Sequence, residues 1–136
     1  MIKDKNIDPS ANFPTQWVDL HNCGSVTNTN GTTVVDAWVA PWAGKVVSAS
    51  VYVGAATATT YTVDVCNGVA TNSASIFTAA ITCTSTQNFK VDASSSISSG
   101  TFAAGDVLTL RNSGTMSKPT VQIGVRPLLA KEISGY

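Results

Sequence analysis

Apolar and polar residues alternate with a period of two along much of this chain. Alternation of that kind turns one face of an extended segment toward a core and the other toward water, so it predicts half-buried β-strands rather than helices. The clearest case spans Thr59 to Cys66, where Tyr61, Val63 and Val65 face one way and Thr60, Thr62, Asp64 and Cys66 the other. Lys45 to Val53 behaves similarly, with Val47, Ala49, Val51 and Val53 expected on one face and Val46, Ser48, Ser50 and Tyr52 on the other. Further strands are expected over Gln16 to His21, Thr32 to Ala40, Val107 to Arg111 and Thr120 to Arg126, with weaker candidates at Ser75 to Thr84 and Asn88 to Val91.

Turn-forming residues punctuate these segments. Asn22-Cys23-Gly24-Ser25 and Asn28-Thr29-Asn30-Gly31 favour positive φ and reversal, and Pro41 and Gly44 bracket another turn. Asn67-Gly68 is the strongest short hairpin signal, with Val69 expected to open the return strand. Ser94 to Gly100 reads as a surface loop, Phe102 to Asp106 as a turn, and Asn112-Ser113-Gly114 as the end of the strand begun at Val107. About eight short strands at regular spacing, with no helical segments for crossovers and no fixed repeat, predict an all-β, jelly-roll-like antiparallel β-sandwich. Residues 1–16 read as an N-terminal arm, 17–126 as the sandwich and 127–136 as a C-terminal tail, since the apolar residues of the two ends have no periodic partner.

Composition strengthens this picture. Ser and Thr number 33 of 136 residues and Val 16, against 5 Leu and 1 Glu, which is strand material rather than helix material. The length suits one domain able to bury about two-thirds of its unfolded surface. Charged residues are 12% with a formal net charge of zero, and Lys3, Lys5, Lys45, Lys90, Arg111, Lys118, Arg126 and Lys131 are dispersed, which argues against a nucleic-acid partner. No apolar run reaches bilayer length, so no membrane partner is expected, and no apolar segment follows Met1 to Asn6 as a secretory signal would require.

Reactive groups are sparse. His21 is the sole histidine and Glu132 the sole glutamate, and no nucleophile-elbow pattern accompanies them, so no catalytic residue, metal or cofactor is expected. Asp19, His21 and Cys23 alternate and could share a strand face around a metal, but a polar strand end entering a loop accounts for them as well. Three cysteines fit buried free thiols. Cys66 and Cys83 lie in or beside neighbouring strands and could instead pair, leaving Cys23 over. Trp42, set between Pro41 and Gly44, and Tyr52 are candidates for an exposed aromatic platform, whereas Trp38 falls mid-strand and reads as core.

The run from Trp38 through Ala40-Pro41-Trp42-Ala43-Gly44-Lys45 to Gly54 resembles the start of a strand in small β-sandwich domains of tailed-phage virion proteins. The motifs downstream keep a similar order: a Thr-rich strand ending in Asn67-Gly68, then Ala104-Gly105-Asp106 turning into Val107-Leu108. The opening Lys3-Asp4-Lys5-Asn6-Ile7-Asp8 also looks like the start of phage structural proteins, so the resemblance covers about residues 1–8 and 38–126. It implies a head decoration, or cement, protein: a jelly-roll homotrimer, made in the bacterial cytoplasm, that sits on the capsid exterior, binds the major capsid protein and braces the shell. In such a protein the two arms would grip the shell or a neighbouring subunit, which nominates Ile2, Ile7, Phe13, Trp17, Leu128, Leu129, Ile133 and Tyr136 as partner-binding residues. The alternative is a carbohydrate- or receptor-binding module of a head or tail fibre, favoured if Trp42 and Tyr52 form a solvent-facing platform and disfavoured if both are buried. A connector of the virion neck would instead assemble into a ring of higher order.

Overall fold

A computed structural model of the chain describes residues 15–22, 26–28, 31–56, 61–83, 88–92 and 96–128. They contain nine strands and no helix: β1 (Gln16–Asn22), β2 (Val26–Asn28), β3 (Val34–Val39), β4 (Gly44–Ala56), β5 (Tyr61–Asn67), β6 (Ile81–Cys83), β7 (Asn88–Asp92), β8 (Thr101–Phe102) and β9 (Val107–Pro127). Every pairing is antiparallel. The protein is an all-β chain of two antiparallel sheets, as the alternation predicts. Sheet I orders β1 and β2, the second part of β9, β4, then β7 and β8. Sheet II orders β3, the first part of β9, β5 and β6. Because β9 belongs to both, hydrogen bonding runs without a break from β6 to β7.

Inward residues of both sheets make the core. Val46, Ala49, Val51, Val121, Ile123 and Val125 come from sheet I, and Val63, Val65, Leu108 and Leu110 from sheet II; none is more than 1% exposed. Ile76, Phe77 and Phe102 close the ends. Branched side chains pack well on a pleated surface, which is why a chain so poor in leucine still builds a continuous core.

Four features depart from the sequence expectation. First, β4 carries a bulge between Val46 and Ser48, opposite Val125 and Gly124. The extra residue, Val47, resets the alternation, so Val46 joins Ala49 and Val51 in the core while Val47 is only partly buried. Second, Asn67-Gly68 does not make a two-residue hairpin. Gly68 sits at φ 128°, outside the range of the primed hairpin turns, and Val69 is 67% exposed in a loop rather than a strand. The return path reaches β5 through an isolated Cys66–Ser75 bridge, with the Asn67 N–H donated to Ala74 and the Ile76 N–H to Val65. Third, the Ser75 to Thr84 strand contracts to Ile81–Cys83, with Phe77 bridged instead to Ile97. Fourth, Asn112-Ser113-Gly114 does not end a strand, because β2 and β4 supply partners for Gly114 and Met116 and the chain stays extended.

The turn before β9 forms as expected. Gly105 adopts φ 87°, and the Asp106 carboxylate accepts the Ala103 N–H and the Asn67 side-chain amide. Of the expected arms, residues 1–14 and 129–136 lie outside the described residues.

Candidate functional site

The two outer faces of the sandwich differ. That of sheet II is covered by the chain itself. Thr109 and Arg111 point outward from β9, yet they are 0% and 2% exposed because the loop after Gly68 folds over them. The Arg111 guanidinium donates to the carbonyls of Gly68, Ala70 and Thr71 at 3.2, 2.7 and 3.0 Å, and the Thr109 hydroxyl donates to Gly68 at 2.9 Å. Asp64, across from Arg111, accepts hydrogen bonds from the Ser75 hydroxyl and the Cys66 thiol, and Ser75 in turn accepts the Phe77 N–H.

Among the described residues, the outer face of sheet I keeps Trp17, Asp19, Asn22 and Tyr52 exposed. The inward set Val121, Ile123 and Val125 leaves Thr120, Gln122 and Gly124 pointing outward, and cross-strand partners share their side. One row is therefore Trp17, Gly124 and Ser48; the next is Asp19, Gln122 and Ser50; and a third is Asn22, Thr120 and Tyr52. Trp17 is 48% and Tyr52 43% exposed, and they are the large aromatic side chains exposed among the described residues. Gly124 makes room for its neighbours: a Cβ there would meet Ser48 Oγ and Thr15 Cγ2 at 2.6 Å, and the far edge of the Trp17 ring lies at ordinary contact distance, 3.6 Å. Between the two rings, Gln122 Nε2 donates to Asp19 Oδ1 at 2.6 Å.

The residues nominated from the sequence scatter across this frame. Ile2, Ile7, Phe13, Leu129, Ile133 and Tyr136 lie outside the described residues. Leu128 is half-buried and its N–H reaches the Ala43 carbonyl at 3.3 Å, at the end of sheet I where β1 begins. Trp42 is half-buried against the core, its ring 6.3 Å from Trp38 and 6.0 Å from Phe102. It precedes β4, whereas Tyr52 lies eight residues into that strand from Gly44, about 26 Å along an extended backbone. The structure therefore does not bring Trp42 and Tyr52 together as a platform. It places Trp17 on Tyr52's face instead, which sequence alternation could have suggested once the register of β1 on β9 was known.

Asp19, His21 and Cys23 do not form a shared metal face. A bulge between Asp19 and His21 sends Asp19 outward to Gln122 and turns His21 to the other side, where Nδ1 lies 3.0 Å from Asp36 Oδ2 on β3; Cys23 lies outside the described residues. Among the described residues no cluster of three or more His, Cys, Asp or Glu could hold a metal. Cys66 is a buried free thiol, and the register that sets Tyr61 against Cys83 leaves Cys66 five residues along β5, too far to pair. Burial first, and then the Asp64 charge, raise its pKa to about 11, so the thiol stays protonated and weakly nucleophilic. A recess of about 320 Å³ lies beside the start of β4, lined by Lys45, Ile97, Ser98, Ser99, Gly100 and Thr101. No described helix is long and apolar enough to cross a membrane.

No family model matches the chain, and no curated protein matches it. The chain is weakly similar to solved structures that include the following two. One is the CBM22-1–GH10 module pair of Clostridium thermocellum endo-1,4-β-D-xylanase 10B complexed with xylohexaose. It is 12% identical with a TM-score of 0.36, over 85% of this chain but only 25% of that one. The other is the virus-like particle of extra small virus from the giant freshwater prawn Macrobrachium rosenbergii. It is 16% identical with a TM-score of 0.33, over 84% of this chain and 76% of that one. The neighbours thus include a carbohydrate-binding module and a viral capsid protein, and at these TM-scores neither likeness carries a functional argument.

Proposed function

We propose that the chain is a non-catalytic decoration protein of a tailed-phage virion, a jelly-roll homotrimer that sits on the capsid exterior and binds the major capsid protein. The observation that carries this reading is where the two arms attach. Gln16 pairs with Val125, and Leu128 bonds to Ala43, so residues 1–14 and 129–136 join the sandwich at one end of sheet I. Two segments rooted side by side can grip neighbouring molecules of a shell together, and joined contacts multiply weak affinities. The strand order also supports it. With the two parts of β9 counted separately and the short β2 and β8 set aside, sheet I reads first, eighth, third, sixth and sheet II second, seventh, fourth, fifth, the order of a jelly roll. The order of motifs from Trp38 to Leu108 adds the link to phage virion proteins.

The experiment is co-sedimentation with undecorated capsids. The full chain is expected to bind, and a chain lacking residues 1–14 and 129–136 to lose binding while keeping its melting temperature. Unchanged binding after removal of both arms overturns the arm-mediated reading.

A further inference from the structure

We propose that the outer face of sheet I is a binding site for a linear, uncharged saccharide, with Trp17 and Tyr52 as its two stacking platforms. Such a site is independent of the decoration role and rests on four observations. First, a loop closes the outer face of sheet II, whereas on that of sheet I the described Trp17, Asp19, Asn22 and Tyr52 stay exposed. Second, the exposed aromatics among the described residues both lie on that face of sheet I, four residues apart along β9 and one strand to either side of it. With strands ~4.8 Å apart and ~3.3 Å per residue, their Cα positions are roughly 16 Å apart, a span suited to several sugar rings rather than one. Third, the far edge of the Trp17 ring reaches over Gly124 while the side chain stays 48% exposed, so the ring is both in contact with the sheet and open to solvent. Rigid, amphipathic rings of this kind supply contact area at little cost in conformational entropy, and the C–H faces of pyranoses match them.

The fourth observation is the polar row between the rings. Asp19, Gln122 and Ser50 line up across β1, β9 and β4, with Asp19 already accepting from Gln122 at 2.6 Å. Amide and hydroxyl groups on a flat sheet match the alternating donors and acceptors of sugar hydroxyls. A protein partner would instead require a contiguous apolar centre with aromatics inside it, and here the polar row separates the two rings. The rows continue onto β7, where Asp92 pairs with Ser48 and Lys90 with Ser50, so the face carries charges of both signs and, with Asp19 held by an amide, offers no excess of one sign to draw an ionic ligand.

The test is a saccharide array probed with the full chain, followed by calorimetry on the strongest linear neutral binder. Trp17→Ala and Tyr52→Ala are each expected to weaken binding about tenfold or more, since such rings act as energetic anchors. Val69→Ala, at an exposed position over sheet II, should leave affinity unchanged. Both aromatics are solvent-exposed, so melting temperatures should stay close to that of the parent chain and separate lost binding from lost folding. Absence of binding to any linear neutral saccharide at millimolar concentration overturns the proposal, as does full affinity in the double variant. Loss of capsid co-sedimentation in the same variants without any saccharide binding assigns the face to a protein contact, and also overturns it. Retained saccharide binding with no capsid binding would sink the decoration reading alone.

Discussion

Arg111 is 2% exposed, and both of its terminal nitrogens are spent on backbone carbonyls of the loop above it. A buried cation is costly unless it is well partnered, and here three carbonyl dipoles serve in place of an anion. The same bonds keep Gly68 to Thr71 from forming the tight hairpin that Asn67-Gly68 suggests. Arg111→Met, which keeps much of the volume but no donors, is expected to destabilise the fold by about 2–4 kcal/mol in urea denaturation, because the loop over sheet II loses its charge-assisted hydrogen bonds. Asp106 acts in a more exposed setting. The Ala103 N–H and then the Asn67 amide favour its carboxylate and lower its pKa below the ordinary 3.8. A lowered folded-state pKa stabilises the protein above the unfolded value, and that contribution fades as pH falls from 3.8 toward the folded one. Asp106→Asn should therefore flatten the acid side of a melting-temperature profile relative to the parent chain.

At the scale of elements, two bulges and one long strand decide where side chains point. The Val47 bulge puts Val46 rather than Val47 in the core, and the bulge after Asp19 parts that carboxylate from His21. Deleting Val47 is expected to remove the bulge and keep the register, since Val46 then adjoins Ser48 and still faces Val125. Val46→Lys, by contrast, puts an unpaired ammonium in the core opposite Val125 and should abolish cooperative folding or cost several kcal/mol, read as the loss or early onset of the unfolding transition in urea. β9 runs 21 residues through Asn112-Ser113-Gly114 and Pro119 because it finds partners along its length. Local turn propensity yields wherever the extended chain keeps its ladder.

At the scale of the whole molecule, the sandwich has one outer face sealed by its own loop, another with described aromatics exposed, and Gln16 and Leu128 together at one end of sheet I. A trimeric decoration protein predicts a solution mass by light scattering near three times 14.1 kDa, unchanged by reductant because the Cys66 thiol is buried and free. A monomeric mass would count against the trimer and shift weight to a single-site binding module.

The strand class, the main strand positions and the Ala103 to Asp106 turn were legible in the residues alone, because period-two alternation, β-branched composition and a glycine at positive φ act locally. The inward sets Val63 with Val65 and Leu108 with Leu110 follow from that same alternation. The face of Val46, the fate of Asn67-Gly68, the continuity of β9 and the meeting of Trp17 with Tyr52 on one surface were decided only by tertiary structure. Each depends on register between strands distant in sequence, or on a side chain such as Arg111 arriving from another strand, and local pattern carries no record of either. Trp42 shows the difference most simply. Its turn was readable from Pro41 and Gly44, but only the approach of Trp38 and Phe102 turned the ring toward the core and away from the face that carries Trp17 and Tyr52.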